Sequence, residues 1–421
     1  MLSKCHAIGK ITAVKTQEKR IQTIGVFLPA CYRGGSLNGA KNIAKMLHLG
    51  SRSRDEAINV IFSCVENEYN ITKDFGDLLE LGITVRETRW KIISKNAVEN
   101  ILKINGMPPV TLKHSEYSIP CFGKSHFDDC DFWLVVSDRV KKPLAPIKPY
   151  GIVIYDYIQR YVPQIFNDSF TDIHFIATTR QANFVLTTTP TTREDAIQYA
   201  GLASERVILA PMEFDPYESS SHSTKMESNY FLWPTNATQH KNHLNAIEAL
   251  NLYYEKYDGN LAVIMTGQNT HYFINNKCNI SLSLYFKEVI RLIEKYPTVK
   301  QNIKICGNLP IQDYINILQS AKFLWHPTLI DNGTYAVIEA ACHNIPSLSS
   351  KYPQMRYMNE RFNLGLNFCD ATQPDDMAIQ LKEMEINHIN RRQLLPKKEF
   401  LEKFSYKNIA PEFWNIVRGL L

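Results

Sequence analysis

From Ile24 onward the chain alternates short apolar runs with longer segments whose apolar residues return every three or four positions. Such runs, rich in β-branched and aromatic residues and bounded by turn residues, predict strands buried on both faces. The amphipathic stretches between them predict crossover helices. In the first half strands are expected in "IGVFLP" from Ile24, "INVIFSC" from Ile58, "FWLVVS" from Phe132, "GIVIYD" from Gly151, "FVLTT" from Phe184 and "RVILAP" ending at Pro211. In the second half they are expected in "YFLWPT" from Tyr230, "LAVIMTG" from Leu261, "IKICG" from Ile303, "KFLWHPT" from Lys322 and "IPSLSS" from Ile345. The alternation predicts an α/β protein built on two parallel sheets.

Between the halves, "DPYESSSHSTKMESN", Asp215 to Asn229, is polar, serine-rich and aperiodic, as a linker or hinge would be. The expected organisation is a first domain over 1–215, a linker over 216–229, a second domain over 230–396 and a closing segment over 397–421. That last segment spaces Phe400, Leu401, Phe404, Ile409, Phe413, Trp414 and Ile416 as a helix would, with a break expected near Pro411.

Candidate chemistry concentrates in "HPTLIDNGTYAVIEAACHNIPSLSS", His326 to Ser350. A strand ends, "LIDNG" forms a loop whose Asn332-Gly333 accepts positive φ, and "TYAVIEAACHN" continues as a helix. Helix starts of this kind open at the carboxyl edge of an open α/β sheet. Amides near Gly333, Thr334 and Tyr335 then favour an anion such as diphosphate. Ala336, Val337, Ala340 and Ala341 form the expected sheet-facing side, with Glu339 off it. Asp331 and Glu339 bracket the helix start at an eight-residue offset. Such a pair can hold hydroxyls on either side of a diphosphate, although each alone also reads as a helix cap or a surface carboxylate.

This block resembles the retaining GT-B glycosyltransferases of family 4, or group 1, whose Glu-x7-Glu motif sits in "P-S-x-x-E-G-F-G-L-P-x-x-E-A-x-A-x-G-x-P-V". Here it reads "PTLIDNGTYAVIEAACHNIPSL", with Asp331 replacing the first glutamate. The resemblance implies two doubly wound Rossmann-like domains facing a central cleft. It also implies that Glu339 holds ribose hydroxyls, and that Asp331 with the backbone of Gly333, Thr334 and Tyr335 holds the donor sugar. A second block, "YFLWPTNATQHKNHLNAIEAL", resembles the family's "G-R-L-x-x-x-K-N/G" diphosphate clamp, with Lys241 as its lysine. The clamp arginine has no counterpart, since Thr235 and Asn236 stand in its place. Thr266-Gly267 and Gly307-Asn308 fall where the family binds nucleotide, and glycine after a strand is also ordinary turn chemistry.

In the first half, Gly34 and Gly35 lie between the first strand and a helix and resemble the family's N-terminal glycine loop. In "GIVIYDYIQRYVP", Tyr155 replaces the family's usual histidine and Asp156 keeps its aspartate. Asp156 is the candidate for orienting an acceptor or donor hydroxyl. Tyr155, Tyr157 and Tyr161 are candidate stacking faces for an acceptor sugar, against the plainer alternative of core tyrosines. "TTTPTTREDAIQYAGL" is expected to cap a helix with its threonines and to carry no chemistry.

Composition narrows the class without changing it. The 421 residues are 44% hydrophobic and 21% charged, which suits two globular domains. The nine cysteines are odd in number, scattered and never C-x-x-C, so a reducing, cytoplasmic setting is expected rather than disulfides or a zinc module. No segment reads as a secretion signal or a membrane span. A formal charge of +5 shows no stripe dense enough for nucleic acid. Lys141, Lys142 and Lys148, with Arg391, Arg392, Lys397 and Lys398, read as solvated surface or as a weak dock for anionic lipid on the inner face of the membrane or for a pyrophosphate-bearing acceptor. Asp129-Cys130-Asp131 precedes a strand instead of following one, and the twelve histidines lack ligand spacing, so neither metal nor cofactor is expected. The resemblance implies transfer of a hexose or deoxyhexose, mannose or rhamnose by closest likeness, from a nucleotide-diphosphate sugar to a glycan or lipid-linked glycan in surface-polysaccharide synthesis. A nucleotide-sugar epimerase and a non-catalytic sugar-nucleotide-binding or scaffold subunit are the alternatives.

Overall fold

A computed structural model describes residues 21–123, 127–163, 169–210, 212–215, 228–274 and 284–421. The expected linker and Pro211 lie mainly outside the described residues.

The first lobe holds strands β1 (Thr23–Phe27), β2 (Asn59–Val65), β3 (Thr84–Ser94), β4 (Glu116–Cys121), β5 (Phe132–Val136), β6 (Tyr150–Ile154), β7 (Phe184–Thr187) and β8 (Val207–Leu209). They form one sheet in the order β4-β3-β2-β1-β5-β6-β7-β8. Its helices are α1 (Gly35–Arg52), α2 (Ile71–Glu80), α3 (Lys95–Ile104), α4 (Ile158–Tyr161), α5 (Ser169–Gln181) and α6 (Pro190–Gln198). Apolar β1 is central, with Val26 registered against Phe62 of β2 and Leu134 of β5, both parallel. Strand order reverses between β1 and β5, so their carboxyl ends part there and open a crevice.

The second lobe is wholly parallel, in the order β11-β10-β9-β12-β13-β14. Its strands are β9 (Tyr230–Pro234), β10 (Ala262–Thr266), β11 (Ile303–Ile305), β12 (Leu324–His326), β13 (Ser347–Ser350) and β14 (Asn367–Cys369). Its helices are α7 (His243–Glu255), α8 (Leu284–Lys295), α9 (Pro297–Asn302), α10 (Ile311–Ser320), α11 (Tyr335–Cys342), α12 (Pro353–Phe362), α13 (Pro374–Arg392) and α14 (Lys398–Glu402), and a last helix, α15 (Tyr406–Arg418), returns to the first lobe. Phe231 stacks on Phe323 at 4.8 Å and Trp233 meets Trp325 at 4.9 Å, locking β9 to β12 where this sheet reverses. Both lobes are therefore doubly wound.

Every expected strand is present, and three further ones appear. β3 and β4 pair antiparallel at the edge, and β14 is three residues long. The closing segment is two helices, and the break falls at residues 403–405 while α15 runs through Pro411. A proline forfeits one helical hydrogen bond. Here the apolar face of Ala410, Phe413, Trp414 and Val417, packed on α1, outweighs that loss. Gly50 makes the packing tight, because a Cβ there would sit 2.2 Å from the Ala410 carbonyl oxygen. α15 thus completes the core of the first lobe although it follows the second in sequence. Where the chain crosses between lobes, Phe214 bridges Ser405 in parallel, and the Tyr406 amide donates to the Phe214 carbonyl at 3.0 Å.

Candidate functional site

The loop after β9 and the loop after β12 emerge side by side at the reversal point of the second sheet. Each brings one charge. Lys241, in the turn before α7, donates its Nζ to Asp331 Oδ2, and both side chains are largely buried. The other carboxylate oxygen of Asp331 accepts from the Asn332 amide at 2.9 Å. Burial works to raise the Asp331 pKa, but the Lys241 ammonium holds the carboxyl below its ordinary value. The residues assigned from sequence to diphosphate and to sugar are thus one ion pair here.

Gly333 has φ 93°, and a Cβ on it would lie 2.7 Å from the Met358 side chain, so the turn into α11 requires glycine. Thr334 caps the helix by accepting from the Ala336 amide at 3.3 Å. The buried positions of α11 are Val337, Ile338, Ala340 and Ala341, with Ile338 taking the place expected for Ala336. Glu339 lies off that face beside Tyr314 of α10. Burial lifts its pKa to about 7, offset in part by the Tyr314 hydroxyl.

The start of α11 faces the first lobe. The ring of Tyr335 is 3.3 Å from where a Cβ on Gly35 would sit, and its hydroxyl donates to Glu213 Oε1 at 3.4 Å. Gly34, φ 58°, precedes α1 in the left-handed region, with open space at its Cβ position. The carboxamide oxygen of Asn332 accepts from Thr188 Oγ1 at 3.0 Å and Thr192 Oγ1 at 3.4 Å, tying the two lobes at the start of α6. Thr189 caps α6, as expected of that segment.

Asp156 stands across the gap from Asp331. Burial raises its pKa to about 6, Arg139 opposes the rise, and the charge of Asp331 adds to it. Arg139 Nη2 is 3.8 Å from Asp156 Oδ1, and the Ile158 amide donates to the same oxygen at 3.3 Å. Tyr155 lies close to α1, with its hydroxyl 2.5 Å from where a Cβ on Gly39 would sit. Two expected acceptor residues are elsewhere. Tyr157 is in the core, edge-on to Tyr199, and so presents no face to a sugar. Tyr161 is directed to Asp195, donating to its carboxylate at 2.8 Å, because Arg160 and Asp195 form an ion pair there.

The remaining candidates line the loops after β9, β10 and β11. A Cβ on Gly267, φ 138°, would fall 1.6 Å from the Thr235 carbonyl oxygen, so glycine there lets two loops touch. Thr235 Oγ1 lies 3.1 Å from His243 Nε2, and Asn236 Oδ1 accepts from Thr238 at 3.2 Å. The Gly267 amide donates to the Gly307 carbonyl at 2.8 Å, and neighbouring Asn308 is exposed.

Sequence reasoning missed the histidines and the first-lobe arginine. His240 is lowered to about 4 by burial and Lys241, and His326 to about 3 by burial and Lys241. His243 is lowered to about 3 by burial, His240 and Lys241. All three are neutral at physiological pH and pack behind Lys241 without adding charge. Their only signal was position, in "QHKNH" and "WHPT" beside the two loops. Arg139 follows β5 directly in "VVSDR", at the reversal point of the first sheet, which is where a ligand-facing residue would be sought. Among the described residues no group of three His, Cys, Asp or Glu could hold a metal ion. Asp129 pairs with Arg86, and Asp131 accepts from the Gln22 and Thr23 amides.

Two doubly wound lobes facing one cleft, with loops from both reversal points opening onto it, define the GT-B class of fold. Residues 216–398, a range that includes the whole second sheet, match the family Glycosyl transferases group 1. Solved structures of the same fold include a glycosyltransferase from Rickettsia africae, at 10% identity and TM-score 0.61, covering 95% of this chain and 98% of that one. Anabaena Alr3699/HepE in complex with UDP-glucose is similar at 12% identity and TM-score 0.67, covering 95% and 100%. WaaG, a glycosyltransferase involved in lipopolysaccharide biosynthesis, is similar at 14% identity and TM-score 0.59, covering 94% and 100%. No curated protein matches this chain in sequence.

Proposed function

We propose that the chain is a glycosyltransferase that moves a hexose or deoxyhexose from a nucleotide-diphosphate sugar to a hydroxyl of a glycan or lipid-linked glycan, with retention of anomeric configuration. The observation that carries this reading is the buried Lys241–Asp331 pair at the reversal point of the second sheet, facing Asp156 across the cleft. When the donor binds, Lys241 exchanges part of its bond to Asp331 for the diphosphate, and amides at the start of α11 complete the anion site. Asp331, freed on one oxygen, accepts from donor-sugar hydroxyls, and Glu339 accepts from the ribose. Charge building on the departing nucleotide is met by Lys241 and these amides, in a site that lobe closure dries. Asp156 orients the acceptor hydroxyl toward the sugar face it attacks. The reading assigns charge neutralisation to protein groups rather than to a metal ion, and a bacterial surface polysaccharide is the favoured setting.

The test is incubation with a panel of nucleotide sugars, with and without glycan acceptors. Acceptor-dependent release of nucleotide diphosphate supports the reading. Isomerised donor without acceptor identifies an epimerase, and binding without turnover a non-catalytic subunit. Lys241→Ala is expected to lower kcat about 10²–10³-fold, the usual cost of removing one preorganised donor to developing negative charge. Full turnover in both Lys241→Ala and Glu339→Ala refutes the site.

A further inference from the structure

Beside the Lys241–Asp331 pair, a half-open cavity of about 330 Å³ lies over the carboxyl ends of β13 and β14. Leu329, Ser350, Lys351, Tyr352, Arg356 and Thr372 line it. It is on the opposite side of β12 from Gly267 and Gly307, the loops assigned to the nucleotide. An adjoining hollow shares Lys351 and Arg356 and reaches Pro190 at the start of α6, in the first lobe. The cavity therefore runs from the donor sugar toward the lobe assigned to the acceptor.

Its chemistry is that of an anion site. Lys351 and Arg356 are exposed, flank the start of α12, and form no ion pair among the described residues. Tyr352 is 4% exposed, yet its hydroxyl has no hydrogen-bond partner among the described residues. A buried phenol of this kind costs free energy unless something arrives to accept from it. Two carboxylates are close. Asp370 also lines the cavity and stays ionised, its charge held by the Thr372 amide at 2.9 Å and hydroxyl at 2.7 Å, whereas Asp331 is neutralised by Lys241, so the cavity keeps two cations against one carboxylate. Glu360 borders only the outer hollow.

We propose that this cavity is a phosphate-binding subsite for the acceptor: Arg356 and Lys351 pair with phosphate oxygens, and Tyr352 donates its otherwise unused hydroxyl. The assignment to the acceptor rests on the glycosyltransferase reading, whereas binding of phosphate does not. Two sources share the chemistry, a phosphorylated sugar and the diphosphate headgroup of a lipid carrier.

The experiment is calorimetric titration of the full chain with glucose 6-phosphate, farnesyl diphosphate, uncharged glucose and, separately, UDP, GDP, ADP and dTDP. At least one phosphorylated probe is expected to bind where glucose does not. The Lys351→Ala/Arg356→Ala variant is expected to weaken it about tenfold or more, and Tyr352→Phe about threefold. Both variants should keep wild-type thermal melting and bind UDP within about twofold of wild type. Preference for farnesyl diphosphate identifies a lipid carrier, and preference for glucose 6-phosphate a phosphorylated sugar. Equal phosphate affinity in the variants, or no phosphate binding at all, overturns the proposal. Failure of UDP, GDP, ADP and dTDP alike to bind the wild type, alongside Lys351- and Arg356-dependent phosphate binding, counts against the glycosyltransferase reading and supports the subsite.

Discussion

Lys241 and Asp331 are 90 residues apart in sequence and meet with 12% and 16% of their side chains exposed. Removing one partner strands the other charge in a poorly solvated place, which costs more than the net value of the pair. Lys241→Ala is therefore expected to destabilise the fold by about 2–4 kcal/mol, with much of the loss restored by adding Asp331→Asn. Chemical denaturation of the two single variants and the double variant measures this, and simple additivity would contradict it. Glu213 and Glu339 behave in the opposite way. Burial raises each to about 7 from an ordinary 4.5. The folded state then holds these protons more tightly than the unfolded chain does. The stability they contribute is fully present below about pH 4.5 and is lost as pH rises through about 7. Glutamine at either position should flatten that loss, leaving the variant about 1–3 kcal/mol better off than wild type at pH 8. Thermal melts from pH 4.5 to 8 check this. Ribose hydroxyls donating to Glu339 favour its ionised form, so on the proposed reading nucleotide binding near pH 6.5 should release protons. Titrations in buffers of different ionisation enthalpy would detect them, and Glu339→Gln should abolish the effect.

At the scale of elements, what the sequence revealed followed burial. Strands buried on both faces, such as β1, β5 and β6, read as unbroken apolar runs. β3, "TVRETRWKIIS", pairs antiparallel with β4 near the sheet edge, so polar and apolar positions mix along it, while β4 carries a proline. No apolar run marks such edge strands. The candidate site was legible where backbone conformation constrains the residue, as at Gly333 and Gly267, or where a motif spans one loop and helix. It was not legible where two lobes supply the parts. Nothing local in "TTTPTT" tells that Thr188 and Thr192 reach Asn332, nor does "MEF" tell that Glu213 meets Tyr335. Tyr157 illustrates the converse, since a tyrosine after a strand can point into the core as readily as into the cleft. The α1–α15 contact is equally invisible locally, and it depends on Gly50. Gly50→Val should force the helices apart and lower stability by about 2–4 kcal/mol, comparable to overpacking a core. Ser36→Val, at an exposed position of the same helix far from α15, serves as the control in the same melting experiment.

Taken as a whole, the molecule joins its lobes through two paired crossings, near Phe214 and near Ser405, with Phe214 also edge-on to Phe362 of α12. The attachment of α15 to α1 has a further consequence, for biogenesis. On the ribosome, the amino-terminal half emerges long before the stretch from Tyr406 to Arg418 that covers its apolar helix face, so that half waits uncovered until that stretch has been made. A gene truncated after Ser405 should yield aggregated polypeptide despite encoding both sheets in full, and co-expression of the missing peptide should return it to the supernatant.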